Sequence, residues 1–137
     1  KNLFKTSLGK YINPDVIEGK FSEPGFIENI VVLGENQKYA GAIIVPDFAF
    51  LKTWCQKHEI KYTTPQEMIK NPDVKKRYAE EIKKINQNFG DTEKIKRYEL
   101  IADEWSVNNG ILTPTLKVKR NVVKERYKDL IEIMYKD

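Results

Sequence analysis

Ile27-Glu28-Asn29-Ile30-Val31-Val32-Leu33, the turn Gly34-Glu35-Asn36-Gln37, and Tyr39-Ala40-Gly41-Ala42-Ile43-Ile44-Val45 before Pro46 form the stretch on which the fold turns. Two apolar runs of strand length flank a short polar segment, and a proline ends the second, so a β-hairpin is predicted. Neither run alternates apolar and polar residues as a half-exposed strand does. Their nearly continuous hydrophobicity predicts a sheet largely covered by helices.

The flanks supply those helices. Phe48 to His58 has the helical period, with Phe48, Leu51, Trp54 and Cys55 on one side. Thr64-Pro65-Gln66-Glu67 opens another helix, and Asn71-Pro72-Asp73 a longer one expected to run to about Phe89, where Gly90 stops it. Val74, Tyr78, Ile82, Ile85 and Phe89 form its apolar stripe. Ile95 to Ala102 reads as a third strand, Ser106 to Pro114 as a loop, and Arg120 to Tyr135 as one amphipathic helix with Val123, Tyr127, Leu130, Ile131 and Met134 facing inward. Upstream, Leu3 to Ile12 reads as strand, turn and strand around Gly9. Asn13-Pro14-Asp15 then caps a helix over Val16 to Phe21. No repeat, low-complexity tract or linker interrupts the pattern. The expectation is one α+β domain, an N-terminal β-hairpin plus a roughly three-stranded sheet covered by helices.

The chain has 137 residues, 40% hydrophobic and 32% charged, a globular composition of single-domain length. It begins at Lys1 in mid-pattern, not at a methionine, which predicts a piece of a longer protein. Cys55 is the single cysteine, so no intrachain disulfide forms, and a cytoplasmic location is expected. The formal net charge is +4. Most lysines interleave with glutamates on helical stretches, as on a solvated surface, but the surplus also suits an anionic partner.

Several kinds of site are poorly supported. The one histidine, His58, lies at a helix end, and with one cysteine it makes neither a metal cluster nor a Ser/His/Asp arrangement. No phosphate-cradling glycine loop occurs. Two segments do have the makings of a site. In Ser7-Leu8-Gly9-Lys10 a glycine permits a tight turn and close approach of a ligand to the backbone. In Leu112-Thr113-Pro114-Thr115-Leu116-Lys117-Val118-Lys119-Arg120, lysines on a loop between strand and helix can reach outward. Lys117 and Lys119 share a side if that segment is extended, and Arg120 begins the helix. A small nucleic-acid-binding module using Lys117, Lys119, Arg120 and Lys124 is the competing reading, but the aromatic residues fall on core-like periods and offer no stacking row.

In order and wording, Lys5-Thr6-Ser7-Leu8-Gly9-Lys10-Tyr11-Ile12-Asn13-Pro14-Asp15-Val16-Ile17-Glu18 followed by Leu112 to Arg120 resembles the C-terminal domain of AMP-forming long-chain acyl-CoA synthetases. The resemblance runs on through Ile30 to Gly34, Ala42 to Pro46, Leu51 to Trp54 and the final Ile131 to Tyr135. It implies a lid domain whose partner is a large N-terminal domain of the same polypeptide, absent from this chain, that binds ATP with its magnesium and the fatty acid. The implied activity is a fatty acid–CoA ligase, with the fragment alone inactive, no nucleic acid as partner, and room for peripheral membrane association of the whole enzyme. In that family the lid works in two orientations, one for acyl-adenylate formation and one for thioester formation with coenzyme A. Thr115-Leu116-Lys117-Val118-Lys119-Arg120 is similar to the family's Ser-Gly-Lys-Ile-x-Arg, which places Lys117 on its catalytic lysine, with Lys119 as the alternative register. Leu116 stands where many relatives have glycine. The resemblance also implies that Ser7, Leu8, Gly9 and Lys10 face coenzyme A, that Lys5 and Lys10 meet its phosphates, and that Lys1 is the hinge.

Overall fold

The computed structural model describes residues 3–136. Lys1, the expected hinge, lies outside them. Strands β1 (Phe4–Lys5) and β2 (Tyr11–Ile12) pair antiparallel and lead into α1 (Pro14–Ser22). Asn13 caps α1, its Oδ1 accepting the Asp15 N–H at 3.2 Å, and Pro14 fills the first turn as expected. The hairpin β3 (Ile27–Leu33) and β4 (Ala40–Pro46) follows, then α2 (Phe48–Lys57), α3 (Pro65–Met68) and α4 (Pro72–Asn86). Strand β5 (Ile95–Leu100) lies parallel to β4, which makes a three-stranded mixed sheet in the order β3-β4-β5. Helices α5 (Arg120–Arg126) and α6 (Lys128–Tyr135) complete the chain.

The continuous hydrophobicity of β3 and β4 has the predicted cause: both faces of the sheet are covered. Ile30, Val32, Ala42 and Ile44 belong to one buried cluster with Ile17, Leu51, Cys55, Val74, Tyr78 and Ile82 from α1, α2 and α4. Val31, Leu33, Ile43 and Val45 belong to a second, with Trp105, Ile111, Val123, Tyr127 and Met134. Successive side chains point to opposite faces of a strand, so odd and even positions of one run feed different cores.

Three boundaries differ from expectation. Helix α4 ends at Asn86, short of Phe89. The Asn86 amide leaves the helical surface to pair with β5, accepting the Ile95 N–H at 2.9 Å and donating to the Ile95 carbonyl at 3.0 Å. Phe89 still joins the core, stacking on Phe21 with ring centroids 6.2 Å apart. Strand β5 ends at Leu100, although the Ile101 N–H still bonds the Ile44 carbonyl at 2.9 Å. The last helix is two helices, broken at Tyr127, whose backbone sits at φ −108° and ψ 26°. There the phenol donates to Asp103 Oδ2 at 2.7 Å and accepts from Trp105 Nε1 at 2.9 Å, which pins the break to the segment after β5. Cys55 is fully buried, and desolvation raises its thiol pKa, as befits a small core residue. His58 is exposed at the end of α2.

Candidate functional site

The two segments singled out in the sequence fold into the same turn. In the first, the Thr6 N–H donates to the Lys10 carbonyl at 2.9 Å, the Gly9 N–H to the Thr6 carbonyl at 3.0 Å, and the Lys10 N–H to Thr6 Oγ1 at 3.2 Å. In the second, the Thr113 N–H donates to the Lys117 carbonyl at 2.8 Å, the Leu116 N–H to the Thr113 carbonyl at 2.7 Å, and the Lys117 N–H to Thr113 Oγ1 at 3.1 Å. Each is a threonine-closed hairpin turn whose fourth residue has a left-handed backbone, Gly9 at φ +81° and Leu116 at φ +66°. Each delivers a lysine as its fifth residue. The repeat is plain only in the backbone, since Thr and Lys are the only identities shared by Thr6-Ser7-Leu8-Gly9-Lys10 and Thr113-Pro114-Thr115-Leu116-Lys117.

Gly9 needs its left-handed conformation, not shelter from a neighbour, because a Cβ added there would meet nothing within 4 Å. The turn around it is anchored to the β3–β4 connection through Ser7 N–H to the Gln37 carbonyl at 2.9 Å and Asn36 N–H to the Lys5 carbonyl at 3.1 Å. Its outward surface carries Leu8, 66% exposed, and Tyr11, with Lys5 Nζ 5.5 Å from the Tyr11 ring centroid.

The second turn projects from a short bridge between Leu112 and Val118, and the Lys119 N–H donates to the Ile111 carbonyl at 2.8 Å. Lys117 and Lys119 are both exposed, and neither makes a salt bridge with a described residue. Lys117 lines a groove of about 440 Å³ with Asp15, Glu18, Val31, Val118 and Arg120. Lys119 instead lines a second groove that includes Leu3, Phe4, Glu35 and Lys124. The structure therefore separates the two candidate lysines, with Arg120 on the border of both grooves. Ser7, Leu8, Gly9 and Lys10 line neither groove.

Arg120, expected from sequence to begin the helix and, in the competing reading, to meet nucleic-acid phosphate, is turned inward. Its Nη1 donates to Glu18 Oε2 at 2.8 Å and to the Val32 carbonyl at 2.7 Å, with Nη2 3.7 Å from Asp15 Oδ1. Glu18 Oε2 also accepts the Val32 N–H at 2.8 Å. Strand β3 is an edge strand, and both polar groups of Val32 point away from β4, so this ion pair satisfies a peptide that the sheet leaves unpaired. Glu18 closes the first quoted motif and Arg120 the second. The contact that joins them spans 102 residues, and no local periodicity announces it.

No group of three or more His, Cys, Asp or Glu among the described residues is placed to hold a metal ion, and no helix there is long and apolar enough to cross a membrane. The arrangement is a three-layer body presenting two hydrogen-bonded turns with exposed lysines. Solved structures with this architecture include the adenylation domain of a carboxylate reductase from Mycobacterium chelonae, with a TM-score of 0.78 at 18% identity over 99% of this chain and 20% of that one. Another is the A domain of carboxylic acid reductase from Segniliparus rugosus in complex with AMP and a co-purified carboxylic acid, with a TM-score of 0.75 at 23% identity over 98% of this chain and 20% of that one. At such identities the likeness shows the fold. In sequence, long-chain-fatty-acid–CoA ligase 6 of Homo sapiens is 34% identical and ligase 1 of the same species 33% identical, each over 98% of this chain. This chain spans about a fifth of the length of those relatives, 20% in each case. A family profile described as the AMP-binding enzyme C-terminal domain matches residues 2–137. On that match over nearly the whole chain, it belongs to the AMP-binding enzyme C-terminal domain family.

Proposed function

We propose that this domain is the mobile lid of an ATP-dependent long-chain fatty acid–CoA ligase, and that Lys117 is the residue it contributes to acyl-adenylate formation. The observation that carries the assignment is the Lys117 turn. It is an exposed ammonium with no acid partner among the described residues, held on a hydrogen-bonded hairpin immediately after a residue with left-handed backbone. Leu116 at φ +66° occupies the conformation that glycine adopts most readily, which fits the alignment of Thr115-Leu116-Lys117 with Ser-Gly-Lys and favours Lys117 over Lys119.

The chemistry asks for such a group. A carboxylate and a triphosphate must meet against their mutual repulsion, and a positioned ammonium offsets that repulsion as charge shifts onto the transferring phosphoryl group. A lysine places a compact charge on a long stem that withdraws when the domain turns. Adenylation joins a carboxylate oxygen to the α-phosphorus of ATP with departure of pyrophosphate. Thioester formation then moves the acyl group from AMP to the thiol of coenzyme A. For this second step the domain turns Ser7, Leu8, Gly9 and Lys10 toward coenzyme A, with Lys5 and Lys10 near its phosphates and Lys1 as hinge. ATP with its magnesium and the fatty acid belong mainly to a larger N-terminal domain of the same polypeptide. A cytoplasmic location accords with the unpaired thiol of Cys55.

The test divides the two half-reactions. In the whole enzyme, Lys117→Ala is expected to slow adenylation, read by ATP–pyrophosphate exchange with a fatty acid, by ~10²–10³-fold, the usual loss for one positioned electrostatic group. Thioester formation from supplied acyl-adenylate should change far less, and Lys119→Ala should affect adenylation only mildly. Equal losses in both half-reactions would refute the assignment. The 137-residue chain alone should show no exchange.

A further inference from the structure

Two turns with one hydrogen-bonding plan allow a comparison inside a single molecule. The left-handed fourth position holds glycine in the Thr6–Lys10 turn and leucine in the Thr113–Lys117 turn. The same backbone groups and threonine oxygens close both, so nothing in the bonding of the turn asks for a leucine. A γ-branched side chain is disfavoured at φ +66°, and this one is not compensated by packing, since Leu116 is 66% exposed. Strain that the fold does not require is retained where the site makes use of it.

What Leu116 offers is an isobutyl group directly before the lysine. It cannot bind an anion. Beside an ammonium engaged with a carboxylate–phosphate anhydride, its usable property is to exclude water. We propose that Leu116 shields the acyl-adenylate: when Lys117 is seated, the leucine covers the acyl carbonyl carbon and keeps it for the thiol. This inference rests on the reading of Lys117 given above. The reaction prevented is hydrolysis. A water oxygen adds to the acyl carbon, the bond from that carbon to the bridging phosphate oxygen breaks, AMP leaves with the bridging oxygen, and a proton passes to solvent. The released fatty acid therefore carries one oxygen from the solvent.

The experiment uses the whole enzyme with palmitate and ATP, without coenzyme A, in water enriched in heavy oxygen. Heavy oxygen entering the palmitate carboxylate is divided by the rate of ATP–pyrophosphate exchange of the same variant, so a change in adenylation does not imitate loss of the shield. Leu116→Gly should raise this ratio about five- to tenfold, and Leu116→Met should hold it within about twofold of the parent, because it restores apolar bulk. Glycine suits the backbone there, so the variant should fold, and a thermal melt verifies this. An unchanged ratio in Leu116→Gly, or an equal rise in Leu116→Met, would overturn the proposal. A selective adenylation defect in Lys117→Ala beside an unchanged Leu116→Gly ratio would sink the shield alone. A non-selective Lys117→Ala would sink the reading beneath it.

Discussion

Arg120 does two things with one guanidinium, pairing with Glu18 while it satisfies the Val32 carbonyl. Both side chains are largely shielded, with 24% and 20% of their surface exposed, so the pair is less screened than an ordinary surface bridge. Arg120→Ala leaves a carboxylate and a peptide carbonyl short of a donor, and should cost about 1.5–3 kcal/mol in urea unfolding of the domain. Glu18→Gln keeps an acceptor for the Val32 N–H and should cost less. A loss in Glu18→Gln as large as in Arg120→Ala would show that charge is not the main contribution. At Leu116 the sign reverses. Leu116→Gly removes left-handed strain from an exposed position and should stabilise the isolated domain by about 0.5–1 kcal/mol, part of the relief being offset by the freedom glycine gives the unfolded chain. Lys117 and Lys119 could be singled out in the sequence because residue type and order mark that segment. The Glu18–Arg120 pair was not, because it depends on which edge of the sheet α1 and α5 share.

Elements were read well where period and caps agreed. Asn13-Pro14, Thr64-Pro65 and Asn71-Pro72 each start a helix with the capping oxygen in place, as their residue types require. The ends that eluded the pattern are those set by a distant partner. Asn86 stops α4 by pairing with Ile95, and the Tyr127 phenol breaks the last helix by bonding Asp103 and Trp105, although the apolar stripe continues past both. The contact between β4 and α6 is tight enough to test. A Cβ on Gly41 would lie 2.7 Å from the Tyr135 hydroxyl oxygen and 2.9 Å from Met134 Cε. Gly41→Ala should therefore displace the Tyr135 phenol from its carbonyl partners and destabilise the domain by about 1–3 kcal/mol, read by chemical unfolding. A neutral outcome would mean that these side-chain ends give way freely.

At the scale of the whole molecule, both cores carry phenols, Tyr78 and Tyr127 buried and Tyr135 partly so. Desolvation raises the pKa of Tyr78, whose hydroxyl donates to the Phe26 carbonyl at 2.7 Å, and of Tyr135, which reaches the Leu33 and Tyr39 carbonyls. Tyr127 is pushed up to about 12 from 10.0, chiefly by burial. In each case folding favours the neutral phenol. The stability so gained is complete below pH 10.0 and lost as pH rises through the folded value, to about 12 for Tyr127. Urea midpoints should accordingly fall steeply over that window, and Tyr127→Phe should make the decline shallower while lowering the midpoint at neutral pH. An equally steep decline in Tyr127→Phe would point to other groups.

The clasp on Val32 also has a consequence for synthesis. An edge strand with open peptide groups is a template for any other extended chain it meets. The Val32 N–H finds its acceptor 14 residues back in the sequence, so that group is covered as soon as α1 docks on the hairpin. The Val32 carbonyl must wait for a donor 88 residues further on. While the ribosome makes that intervening stretch, a nascent β3 is capped on one atom and bare on the next. This is the interval in which a chaperone, or a neighbouring nascent chain, would find it.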